Sequence, residues 1–188
     1  MKKTVLTFGL ISGAIVSAMM LITIPFQDGI SLNHSLIIGY TTMVIAFLLI
    51  FFGVRSYRDN VAGGTVRFGR AFAVGASIGL VASLCYVAMW QVVYFNFMPD
   101  FLTKYQAQMI EQARANGESE AAIEKTRAEF EHTAELYNKP LFNAAYTLIE
   151  PLPVALLVSL VSAVVLSRKR RPGAAGGLVD GGRSPAST

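Results

Sequence analysis

Apolar residues along this chain gather into four long runs, Thr4 to Phe26, Ser35 to Val54, Ala71 to Phe97 and Leu141 to Leu166. Only the last contains a charged residue. Each run reaches the roughly 20 residues that a helix rising about 1.5 Å per residue needs to cross about 30 Å of hydrocarbon. A soluble fold would need a core helix apolar on every face four times over in one small domain. The pattern therefore predicts four membrane-spanning helices. Between the third and fourth runs the period changes. Phe101, Tyr105, Met109 and Ala113 recur every four residues, and Asn116-Gly117 supplies a helix stop. Ser119 with Glu120 supplies a start, followed by Ile123, Thr126, Phe130, Ala134 and Tyr137 at spacings of three and four. Two amphipathic helices in a hairpin over about 99–139 are predicted, with Lys125–Glu129 and Arg127–Glu131 as pairs on the wet face.

The expected fold class is all-α, a four-helix transmembrane bundle with an extracytoplasmic helical hairpin between spans three and four. The spans are set at about 4–26, 35–54, 71–97 and 147–166, within a membrane domain over 1–171. Residues 172–188, rich in Gly, Ala, Ser and Pro, are expected to form a disordered cytoplasmic tail. Composition agrees, since 53% hydrophobic and 15% charged residues are extreme for a soluble domain. Lys2 and Lys3 before the first run resemble a signal peptide, with Val16-Ser17-Ala18 as a cleavage site. The run continues to Ile24, beyond an h-region of about 7–15 residues, so a retained span is expected. The single Cys85 lies inside the third run and cannot make an intrachain disulfide.

Charge gives orientation. With the N-terminus in the cytoplasm, eleven Lys and Arg fall on the cytoplasmic side: Lys2, Lys3, Arg55, Arg58, Arg67, Arg70, Arg168, Lys169, Arg170, Arg171 and Arg183. Five fall outside, all in the hairpin loop: Lys104, Arg114, Lys125, Arg127 and Lys139. The positive-inside rule then puts both termini in the cytoplasm. Basic residues at the ends of apolar runs point to lipid rather than nucleic acid. Trp90, Tyr94 and Phe95 fall at the outer end of the third run, where amphipathic rings favour the headgroup level.

Small residues recur at spacing four: Gly9, Gly13 and Ser17; Ala71, Gly75, Gly79 and Ser83; Ala155, Ser159 and Ala163. Such ridges let helices approach closely where lipid gives little hydrophobic drive for association. Packing within one chain is the expected use, and a homo-oligomer through one ridge is the sharper alternative. Between spans two and three, Arg55, Arg58, Arg67 and Arg70 surround Gly63-Gly64. They are read as topogenic charge meeting anionic lipid headgroups, with a cytoplasmic docking site as the alternative. No phosphate-binding glycine motif occurs there.

Several short stretches carry a family resemblance. They are Tyr57-Arg58, Gly63-Gly64, Phe68-Gly69-Arg70-Ala71-Phe72 followed by Gly75, Glu150-Pro151-Leu152-Pro153, and the small-residue fourth span. Together they resemble the domain-of-unknown-function 4199 family of bacterial integral membrane proteins, over roughly Lys3 to Lys169. The resemblance implies a four-helix protein of the bacterial cytoplasmic membrane. It implies no activity and no catalytic residue.

The residues themselves argue against an enzyme. His34 and His132 lie in different outside segments, and no HExxH or cysteine-pair motif occurs. His132 beside Glu129, Glu131 and Glu135 is better explained as a solvated charged face than as a metal site. The intramembrane serines Ser12, Ser17, Ser77, Ser83, Ser159 and Ser162 have no histidine in the spans. No cofactor is expected.

Glu150, followed by Pro151 and Pro153, is the one carboxylate in an apolar run. Intramembrane ionisable residues are functional candidates because they are costly to bury. If Ser167 and Arg168 mark the inner interface, Glu150 lies about 27 Å away along the axis, near the outer headgroups. Prolines at the first and third positions of a new helix remove no intrahelical bond, so a restart at Pro151 is preferred, with Glu150 favouring the positive end of the dipole. The alternative makes Thr147 the N-cap and Glu150 its capping-box partner, and loses a bond at Pro151. The expected function is a non-enzymatic membrane scaffold or accessory protein working through a protein partner at the hairpin, lipid contact or self-association. A small ion- or proton-coupled transporter or channel using Glu150 is the alternative.

Overall fold

The structure, a computed structural model, describes residues 1–24 and 32–167. The cluster Arg168 to Arg171, the tail and most of the short first loop lie outside the described residues. Seven helices and no strand occur among the described residues. They are α1 Lys2–Thr23, α2 Leu32–Asn60, α3 Phe68–Phe97, α4 Phe101–Ala115, α5 Glu120–Tyr137, α6 Pro140–Ile149 and α7 Pro151–Leu166. Four segments are long and apolar enough to cross a membrane: Lys2–Thr23, Ile37–Asn60, Phe68–Phe97 and Pro140–Leu166. The chain is thus all-α with four candidate spans, the architecture of a multi-pass membrane protein.

Residue pairings fix the helix directions. Positions Gly9 and Gly13 of α1 face Val81 and Cys85 of α3, so these helices run parallel. Gly75 and Gly79 of α3 face Ser159 and Ala155 of α7, so those two run antiparallel. Ser12 donates to the Ala46 carbonyl at 2.9 Å and Phe8 lies against Gly53, which makes α1 and α2 antiparallel. The four spans therefore alternate in direction, with α2 and α3 between α1 and α7. This order gathers Lys2, the α2–α3 turn and Leu166 at one end, with α4 and α5 at the other. Met43, Phe47, Ile50, Val54, Val74 and Ile78 fill the bundle interior. Large apolar side chains such as Leu10, Ile45, Leu84 and Leu157 point outward, as a lipid-facing surface requires.

Two boundaries differ from the sequence reading. Helix α2 continues to Asn60 and α3 begins at Phe68, so the Arg55 to Phe72 segment contains a loop of only 61–67. The end of α2 is held by hydrogen bonds from the Ala62 amide to the Tyr57 carbonyl and from the Gly64 amide to the Arg58 carbonyl. Gly63 and Gly64, at φ +69 and +86, make the reversal that a side chain would strain. The fourth apolar segment starts at Pro140 rather than 147, because α6 runs directly into α7. Glu150 keeps helical dihedrals (φ −66, ψ −55), so the break is a fault in bonding and not a turn. Pro151 has no N–H to give the Thr147 carbonyl, which instead takes the Glu150 amide at 3.4 Å.

In the hairpin, Gly117 at φ +79 ends α4. The Ser119 hydroxyl accepts the Ala122 amide at 3.3 Å and starts α5. Lys125 lies 3.8 Å from Glu129. Arg127 turns back to Glu124 at 3.4 Å rather than forward to Glu131, a partner three residues away being as reachable on a helix as one four away.

Candidate functional site

The end of the bundle nearest the hairpin carries a seam of polar and aromatic side chains. On α3, Tyr86, Trp90 and Tyr94 share one face at spacings of four, with Gln91 beside Trp90 at its edge. On α6 and its junction with α7, Asn143, Thr147 and Glu150 do the same at four and three. The two faces meet in antiparallel register. The Tyr86 hydroxyl donates to Glu150 Oε2 at 3.3 Å, and Gln91 Nε2 donates to Asn143 Oδ1 at 2.6 Å. Thr147 Oγ1 reaches the same Asn143 oxygen at 3.5 Å.

The end of α5 locks onto this seam. Trp90 Nε1 donates to the Tyr137 hydroxyl at 2.9 Å, and the Tyr94 hydroxyl donates to Asn138 Oδ1 at 2.7 Å. Ring contacts extend the clasp into α4. Phe101 meets Trp90 edge-on at 5.1 Å, and Tyr94 meets Tyr137 edge-on at 5.3 Å. Edge-to-face pairs at these distances contribute about 0.5–1.5 kcal/mol each beyond area burial. Burial raises the Tyr137 phenol above its ordinary value, opposed by its bonds with Thr147 and Trp90, and the Glu150 charge adds to the rise. Tyr105 is raised in the same way, by burial and then by the charges of Tyr146 and Glu150. Asn143 is fully buried, and its Nδ2 has no partner among the described residues.

The residues singled out in the sequence fall into three places. Glu150 is exposed at the seam, with no hydrogen bond from its side chain to the start of α7, while Pro151 is buried at the first position of α7 and Pro153 is exposed. Glu150 stands immediately before the first residue of α7, and its direct hydrogen-bond partner among the described residues is Tyr86. The four arginines lie at the opposite end of the bundle. Arg58 is 2.7 Å and Arg55 3.7 Å from Asp59, while Arg67 and Arg70 are exposed at the start of α3. Gly9, Gly13, Gly75, Gly79, Ser83, Ala155 and Ser159 are buried between the spans of this one chain. Tyr86, Gln91 and Asn143 escaped the sequence reading, and Thr147 entered it only as an alternative helix cap. A polar stripe at helical spacing inside each apolar run was the signal that could have found them.

Comparison with known proteins finds a family match. The family described as "Protein of unknown function (DUF4199)" matches residues 7–168. No curated protein and no solved structure matches the chain. The match takes in most of the first candidate span, the other three in full, the arginine turn and the Glu150 seam, and the chain belongs to the DUF4199 family.

Proposed function

We propose that this protein is a non-enzymatic membrane scaffold, whose bundle holds the α4–α5 hairpin in a fixed pose for a protein partner. The observation that carries this reading is the clasp: Trp90–Tyr137 and Tyr94–Asn138 tie the hairpin to the longest span. A hairpin that only closed a loop would need no such attachment. Phe47, Ile50, Val54 and Ile78 fill the bundle axis, which favours an anchor over a conduit. The charge asymmetry of the loops favours both termini in the cytoplasm and the hairpin outside, in the cytoplasmic membrane of a bacterium.

The test compares two proteins purified from native membranes in mild detergent. One is the full chain; the other has residues 106–137 replaced by a short Gly-Ser linker. A defined partner should copurify with the first and not with the second. Recovery of both as identical partner-free monomers would overturn the proposal.

A second reading, a proton- or ion-coupled transporter, draws on Glu150 within a span beside Tyr86. It predicts pH-dependent flux in proteoliposomes that Glu150→Gln abolishes. The scaffold reading predicts no flux in either protein.

A further inference from the structure

Glu150 is exposed on the flank of the bundle at the α6–α7 junction, and Tyr86 supplies its one direct bond among the described residues. The ion pairs between described residues lie elsewhere, on the α2–α3 turn and the hairpin. An ionised carboxylate has about four acceptor positions, so most of its capacity is open. Aromatic rings crowd the same place. Tyr146, one turn before Glu150 on the same helix, is 52% exposed. It meets Tyr137 edge-on at 5.6 Å and stacks on Phe142 at 6.0 Å. The Glu150 charge reaches Tyr105 and Tyr137 of the hairpin.

Depth and surroundings name the occupant. Glu150 lies about 24 Å from Leu166 along the helix, about 6 Å short of the about 30 Å thickness of the hydrocarbon, and so just beneath one set of headgroups. Exposed Tyr146 and Ile149 lie beside it on the same helix, so the site opens toward lipid and not toward water alone. A carboxylate with open acceptor positions, bordered by tyrosine rings, matches a cation that carries N–H donors. A trimethylammonium group has none to give.

We propose that Glu150, with Tyr86 and Tyr146 beside it, binds the primary ammonium of an aminophospholipid headgroup, as in phosphatidylethanolamine. The inference rests on the membrane location alone and is independent of any partner at the hairpin.

Native mass spectrometry of the full chain with defined lipids tests it. Wild type should retain phosphatidylethanolamine over phosphatidylglycerol by roughly three- to thirtyfold, the range a cation–π contact and an exposed ion pair give together, and over phosphatidylcholine, which offers the same charge but no N–H donor, by about two- to tenfold. Glu150→Gln keeps an acceptor for Tyr86 and should fold, yet lose the preference. Tyr146→Ala, at an exposed position, should lose part of it and guards against misfolding of the first variant. Free ethanolamine at the same concentration should not displace the lipid. A preference unchanged in Glu150→Gln and Tyr146→Ala, equal retention of phosphatidylcholine, or displacement by free ethanolamine would each overturn the proposal.

Discussion

The two halves of α3 solve opposite problems. Its first half, through Gly75, Gly79 and the positions opposite Gly9 and Gly13, brings three spans together by having almost nothing between them. Its second half, through Tyr86, Trp90, Gln91 and Tyr94, holds α5 and α6 with large side chains and specific hydrogen bonds. The first joint depends on shape and admits no added atoms. The second depends on pairing and fails when a partner is left alone. One helix thus builds a rigid anchor at one end and a polar clasp at the other.

The largest expected effect tests the shape-dependent joint. A Cβ at Gly79 would stand 2.7 Å from the Ala155 Cβ, and one at Gly13 2.5 Å from the Cys85 Cβ. Gly79→Val or Gly13→Val should therefore destabilise the bundle by about 3 kcal/mol, at the upper end of overpacking costs, or prevent assembly. Unfolding followed by circular dichroism in detergent checks this. A loss under 1 kcal/mol would show that the ridge gives way.

The clasp should respond differently. Asn143→Ala leaves Gln91 unpaired in a protected site and should cost about 2 kcal/mol, whereas Gln91→Leu with Asn143→Leu should recover most of the loss. If the double variant is as unstable as the sum of its parts, pairing is not what holds this joint.

Alkaline pH probes the same joint. The raised Tyr137 and Tyr105 phenols favour the neutral form in the folded state. Their contribution is fully present below the ordinary tyrosine value of about 10 and is lost as pH climbs through the folded values. Emission from Trp90, the only tryptophan, should report release of the hairpin above that point, with Tyr137→Phe shifting the change to higher pH.

Smaller effects mark the periphery of both joints. Ser119→Ala removes the cap of α5 and should cost about 1 kcal/mol, read as faster amide exchange in the first turn of that helix. Gly39 has open space where a Cβ would go, so Gly39→Ala should stabilise α2 by about 0.5 kcal/mol in the same unfolding assay.

The difference between the joints also explains what the sequence made legible. Uninterrupted apolar runs announce the spans because length in hydrocarbon leaves few alternatives. Small residues at spacing four announce ridges, though not which ridge meets which. The clasp was harder to see. Trp90 and Tyr137 are 47 residues apart and Tyr86 and Glu150 are 64 apart, so no local pattern joins them. Glu150 drew notice because charge is rare in such a run and Thr147 only as a candidate cap, while Asn143 did not, since single uncharged polar residues are common in membrane helices. The prolines pointed to a restart at Pro151 but concealed that α6 continues the same apolar segment, with helical dihedrals at Glu150.

The ridges also bear on the order in which the protein is made. The face of α3 that carries Gly75 and Gly79 can meet Ile50 of α2 at once but is closed only when Ala155 and Ser159 emerge, whereas the face toward Gly9 and Gly13 can close fully at once. At about 5–20 residues per second, some 76 residues of synthesis leave that groove open for roughly four to fifteen seconds. During that interval the half-built protein presents a surface to any passing membrane helix, and an insertion chaperone that shields glycine grooves would act there first.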